Sequence, residues 1–141
     1  MTIVQWLLLP AFVHVAWVLA LAIRMGRARV RVARAGQVKI RDVALDNRAW
    51  PDDIRKLSNN YDNQFQLPLF FYGILPLLIL LVKVDWLMVA LAFVFIASRI
   101  VHSLIHTGDN VVLHRFRAFV VGFAAVAVMW GWFAFRLYVI G

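Results

Sequence analysis

Apolar positions fall into four long stretches separated by short polar ones. The first runs from Ile3 to Ile23 without a charge, and the second from about Phe65 to Val82. The third runs from Trp86 to about His106 with Arg99 inside it, and the fourth from about Val111 to Val139. Stretches of about 20 apolar residues match the hydrocarbon thickness of a bilayer. The pattern predicts an all-α integral membrane four-helix bundle in a single domain, residues 1–141. Its helices cover about 2–34, 51–82, 86–106 and 111–139, with a loop over about 35–50. Arg24, Arg27, Arg31 and Arg34 recur at helical spacing, so the first helix continues past the bilayer with one arginine face, and Gly36 is its expected stop. Trp50-Pro51-Asp52-Asp53 reads as the next helix start, with proline in the first turn and acids at the positive helix end. Pro68 and Pro76 are expected inside that helix, where each removes a hydrogen bond and frees the carbonyl of Gln64 or Tyr72.

Composition explains the solvent. The 141 residues are 64% hydrophobic, beyond the near-half apolar content of soluble domains, so lipid must cover part of the surface. With no cysteine, disulfides, thiolate metal sites and a cysteine nucleophile are excluded. Glutamate is also absent, which leaves every acidic role to seven aspartates. The net charge of +8 would point to nucleic acid in a soluble protein. Here ten Lys/Arg lie between residues 24 and 58, beside a span, and no nucleic-acid partner is expected. That placement points to membrane lipids with anionic headgroups or to an anionic substrate. The same bias puts this segment in the cytoplasm and both termini on the other side.

The densest polar cluster is Ser58 to Gln66. Asn59, Asp62, Asn63 and Gln66 share one helical face that enters the membrane below the basic loop. Such residues either bind helices to one another or bind a ligand. An arginine at the depth of Arg99 costs about 3 kcal/mol or more and must meet an acceptor. Asp62 is the expected partner, a structural pair under the site. His102 and His106 have a spacing that suits a metal, but lack a carboxylate on their face, and no metal site is expected. His14, alone in the first apolar stretch, reads as a hydrogen-bonded core residue. Arg115 and Arg117 open the fourth helix near Asn59. With Arg24 and Arg27 they form a positive wall for an anionic ligand whose floor is Asn59, Asn63 and Gln64.

At these residues the chain resembles the MAPEG family (membrane-associated proteins in eicosanoid and glutathione metabolism), a bacterial branch of it. Asn63-Gln64-Phe65-Gln66-Leu67-Pro68-Leu69-Phe70-Phe71-Tyr72 resembles the family's second-helix signature. Arg99-x-x-His102-x-x-x-His106, Arg115-x-Arg117 and Gly122-Phe123 extend the likeness over the whole length. The resemblance implies a homotrimer in the bacterial inner membrane, with periplasmic termini and glutathione-type ligands between subunits near the cytoplasmic face. It implies that Arg117 is catalytic, favouring the thiolate, while Asn59, Asn63, Gln64, Arg115, Arg24 and Arg27 hold the cofactor. The sequence departs from the pattern at the glutamate four before Pro68, here Gln64, at the asparagine seven before it, here Tyr61, and at a third-helix tyrosine, here His106. Two readings follow. One is a glutathione- or thiol-dependent transferase or peroxidase acting on a lipophilic small molecule. The other is a non-catalytic lipid-binding or structural membrane trimer.

Overall fold

A computed structural model describes residues 1–140, and every regular element in it is helical. Helix α1 spans Ile3–Arg34, and the short α2 (Ile40–Val43) and a 3-10 turn (Asn47–Ala49) lie in the polar loop. They are followed by α3 (Asp52–Asp62), α4 (Pro68–Leu80), α5 (Trp86–Thr107) and α6 (Val112–Phe135), which ends in a π turn at Arg136–Ile140. Three helical stretches are long and apolar enough to cross a membrane: Ile3–Arg34, Trp86–Thr107 and Val112–Ile140. Helix α4 is a shorter apolar helix of 13 residues.

Local chemistry sets these ends. Thr2 and Gln5 cap α1 reciprocally, side chain to backbone. Gly36, at φ +69°, terminates it: the N–H of Gly36 bonds the carbonyl of Ala33, and that of Gln37 the carbonyl of Val32. Asp85 caps α5 through the N–H of Met88. Its other oxygen accepts from Trp132 Nε1 at 2.8 Å and Arg136 at 2.7 Å. Arg136 also donates to the Lys83 carbonyl, so one aspartate ties the α4–α5 turn to the end of α6.

The main core joins Leu7 and Ala11 of α1, Phe71, Ile74 and Leu78 of α4, Phe95 and Ile96 of α5, and Ala125 and Met129 of α6. Helices α5 and α6 approach so closely at Gly122 that a Cβ there would stand 2.5 Å from Ser98 Oγ. Small residues at helix contacts are how membrane helices gain packing energy. A second, smaller core lies under the basic segment, where Ala28 and Val32 of α1 meet Ile54 of α3. Arg29 joins the two helices there, donating to Ser58 Oγ at 2.8 Å with its guanidinium 5.2 Å from the Trp50 ring centre.

The helix expected over 51–82 is not continuous. It breaks between Asp62 and Pro68, and Pro68 begins a new helix instead of lying inside the old one. This is the position proline tolerates best, since the N–H it lacks would be unpaired there anyway. A buried carbonyl left without a helical partner at the break is costly. Arg99 answers that cost: its side chain, 1% exposed, donates from Nη2 to the Asn63 carbonyl at 2.8 Å. The expected Arg99–Asp62 pair is therefore corrected. Asp62 is exposed and makes no ion pair among the described residues, whereas the carbonyls at the negative end of α3 need the cation.

Two outcomes are expected. Arg99→Leu strands a carbonyl and lowers stability by about 2 kcal/mol. Adding Asp62→Leu restores nothing, while adding Pro68→Ala, which lets the helix close across the break, restores part of it; thermal denaturation in mild detergent measures all three. At Asp85, burial pushes the pKa up, but the Trp132 and Met88 donors and the Arg136 charge outweigh it and hold the carboxyl below its usual value. A depressed folded-state value gives stability that is fully present above about pH 4, the unfolded value, and is lost as pH falls through the folded one. Melting curves between pH 6 and pH 3 should show this acid loss in the native chain and a shallower one in Asp85→Ala.

Candidate functional site

A cavity of about 520 Å³ opens where the end of α3 meets α5 and α6. It collects the polar residues that the helical repeat places on one face of α3 and the break: Asn59, Asp62, Asn63 and Gln66. From α5 come His102 and His106, one turn apart with ring centres 5.8 Å from each other. From α6 comes Arg115, with Val112, Phe116 and Phe119 as an apolar wall. The cavity thus combines charged and polar walls with apolar ones.

The polar groups are held in place. Arg115 is fixed by its Nη1–Asn110 Oδ1 bond at 2.8 Å, and Asn110 sits in the α5–α6 turn with φ +53°. Asn63 donates its side-chain amide to the Asn59 carbonyl at 2.9 Å while its own carbonyl receives Arg99. The Nδ1 atoms of His102 and His106 are buried without a partner, so Nε2 is the nitrogen each ring can offer the cavity. Two imidazole nitrogens able to donate, a guanidinium and several amides suit an oxygen-rich anion. Asp62 adds one carboxylate, able to pair a cationic group on the same ligand. Among the described residues no three His or Asp side chains gather as a metal set would require.

The residues expected to form one pocket separate into four places. Asn59, Asn63 and Arg115 share this cavity. Arg24 and Arg27 line another of about 500 Å³ with Arg31, Lys56 and Asp53. Gln64 points the opposite way from Asn63, into the core, and Arg117 is exposed and outside the described cavities. On a helix, residues two apart differ by about 200°, so Arg115 and Arg117 cannot face the same ligand within one protomer. Reading the sequence put Asp62 and Gln66 on the same face as Asn59 and Asn63, but left them, with His102 and His106, out of the pocket. The signal was present: Arg99, His102 and His106 repeat at three and four and share one buried face of α5.

Gln64 instead belongs to a buried polar chain. Its Nε2 donates to the Asn60 carbonyl at 2.9 Å and its Oε1 lies 3.2 Å from His14 Nε2. His14 Nδ1 lies 2.9 Å from the Tyr72 hydroxyl, and Asn60 donates to Ser103 Oγ, which also accepts from Trp17. The chain stitches α1, α3, α4 and α5 together. His14 is thus the hydrogen-bonded core residue its isolation suggested.

No curated protein and no solved structure matches this sequence. A family model does, over residues 7–135, nearly the whole chain, and its description is the MAPEG family. With three apolar helices of spanning length, the match fixes the identity: the chain belongs to the MAPEG family and is an integral membrane protein.

Proposed function

We propose that the protein is a homotrimeric enzyme of the bacterial inner membrane that transfers glutathione, or a related anionic thiol, to lipophilic electrophiles. The observation that carries this reading is the cavity at the end of α3, which sets Asp62 and two asparagines against Arg115 and two imidazoles. Glutathione is a zwitterion with two carboxylates and one amine. Arg115, His102 and His106 match its carboxylates, and Asp62 matches its amine. Asp62 thereby takes the part that a glutamate plays in the family pattern, leaving Gln64 to the core. Arg117, turned away from its own cavity, serves the ligand of the neighbouring protomer, where its charge favours the thiolate. Arg24 and Arg27 likewise complete a neighbour's site. The thiolate attacks the electrophilic carbon, the carbon–sulfur bond forms, and the leaving group departs to water. The apolar wall of Phe116 and Phe119 admits the substrate from lipid.

This reading includes four crossings. The basic end of α1 and the start of α5 stand on opposite sides, so α3 and α4 must make the fourth crossing between them. Helix α4 alone spans only about 20 Å. The break and the last turn of α3 therefore lie within the membrane, which is where the polar face needs neighbours. The charge bias then places both termini in the periplasm. The alternative, a non-catalytic lipid-binding or structural trimer, is favoured by Gln64: it makes only core hydrogen bonds, as in a purely structural seam.

Glutathione should raise the melting temperature of the detergent-purified protein, and S-alkyl glutathione should do so more strongly through its apolar group. Asp62→Asn and Arg115→Ala should each weaken binding about tenfold or more, as the loss of a charge-assisted contact does. Arg136→Ala, at the opposite face, should leave it unchanged. Asp62→Asn should also abolish any preference for glutathione over its N-acetyl derivative, whose amine is masked. No shift with any thiol would leave the structural reading standing. For assembly, native mass measurement in mild detergent should give three chains, and a stable monomer would remove the shared-site model.

A further inference from the structure

A cavity of about 400 Å³ lies on the other side of the same helix break, between α1 and the start of α4, within the size range of small-molecule pockets. We propose that it is a second binding site, for a membrane-resident molecule with a hydroxyl head and an apolar body, such as a long-chain alcohol or an alkylphenol. Its walls are apolar, from Val18 and Leu19 of α1 and from Phe65 and Leu69 at the break. Its polar end is His14, Gln64 and Tyr72. None of these residues lines the cavity assigned to the thiol.

The hydrogen bonds define the head group. The Gln64 amide nitrogen is committed to the Asn60 carbonyl, so its oxygen is the atom that faces His14 Nε2. An amide oxygen only accepts, hence Nε2 carries the imidazole proton. Nδ1 then holds a lone pair and accepts the hydrogen bond that the Tyr72 hydroxyl donates, 2.9 Å away. The Ala11 carbonyl, at 3.5 Å, is too far to compete for it. The tyrosine oxygen keeps a lone pair with no donor among the described residues. An incoming hydroxyl can supply that donor, whereas an ether or ketone would bring an acceptor to an acceptor. His14 sits in the middle of the Ile3–Ile23 apolar stretch, so the cavity opens at hydrocarbon depth. There a free hydroxyl has no water to bond, which makes one well-placed acceptor worth most.

The test uses the full-length protein in phospholipid nanodiscs, with 4-nonylphenol against 4-nonylanisole, the same body with the donor removed. Binding is measured as the excess over protein-free discs. The phenol should bind saturably and the anisole about tenfold more weakly, the loss expected for one hydrogen bond in an apolar site. Tyr72→Phe should abolish this difference. Tyr61→Phe, which alters the other hydroxyl bordering the cavity, should keep it. Should Tyr72→Phe fail to fold by circular dichroism, Leu19→Trp, which fills the cavity from its exposed wall, should remove phenol binding instead. The proposal is overturned by the absence of a saturable excess, as when a neighbouring copy fills the cavity, by equal binding of the two probes, by discrimination surviving Tyr72→Phe, or by phenol binding surviving Leu19→Trp. Glutathione-induced stabilisation measured on the same variants should stay at its native value, which separates failure here from failure of the thiol site.

Discussion

The bond from Arg99 to the Asn63 carbonyl is the contact on which the arrangement turns. The helix opens between Asp62 and Pro68, and the Asn63 carbonyl there takes its partner from another helix. The arginine of α5 is that partner, bringing a donor and a charge to the negative end of α3. In the same act it pulls α5 against the break. His102 and His106, one and two turns further along α5, are thereby set opposite Asn59 and Asp62. One backbone carbonyl offsets only part of the cost of burying the guanidinium, whose Nε stays without a partner among the described residues.

A second constraint is the buried chain from Tyr72 through His14, Gln64 and Asn60 to Ser103 and Trp17. Each polar atom in it finds its partner on another helix or another turn. A charged group at position 64 would sit fully buried against His14 in this protomer. A neutral amide both donates and accepts there, so glutamine closes the chain without a charge. Glutamine at position 64 therefore fits the interior, and the exposed acid on the same segment is Asp62.

Much of the architecture was legible because it follows from local rules. Arginines at positions 24, 27, 31 and 34 required a helix longer than the bilayer, and Gly36 supplied the only left-handed stop near its end. Pro51 with Asp52 and Asp53 marked the start of α3. The break at Pro68 was harder to read, because a proline inside a helix and a proline beginning one leave the same trace in hydropathy. Only the three-dimensional path, with Arg99 at the broken turn, distinguishes them. The Asp62 pairing failed for a related reason: charge suggested a carboxylate, but the stronger need was that of a carbonyl, which no sequence letter displays. The site was legible in kind and not in membership. Arg115 and Arg117 look alike in one dimension and lie on opposite sides of a helix, and two basic cavities separate Arg24 and Arg27 from Asn59 within one chain.

The short segment from Asn59 to Phe65 serves two cavities at once because the helical repeat divides it. Asn59, Asp62 and Asn63, with Gln66 beyond, turn to the polar cavity; Tyr61, Gln64 and Phe65 turn to the apolar one. One face carries amides and a carboxylate, the other aromatic rings around a single glutamine. Between them runs the backbone that Arg99 holds. The two cavities also meet through the buried chain that runs from His14 and Gln64 of the apolar one to Ser103, which lies on α5 between His102 and His106 of the polar one.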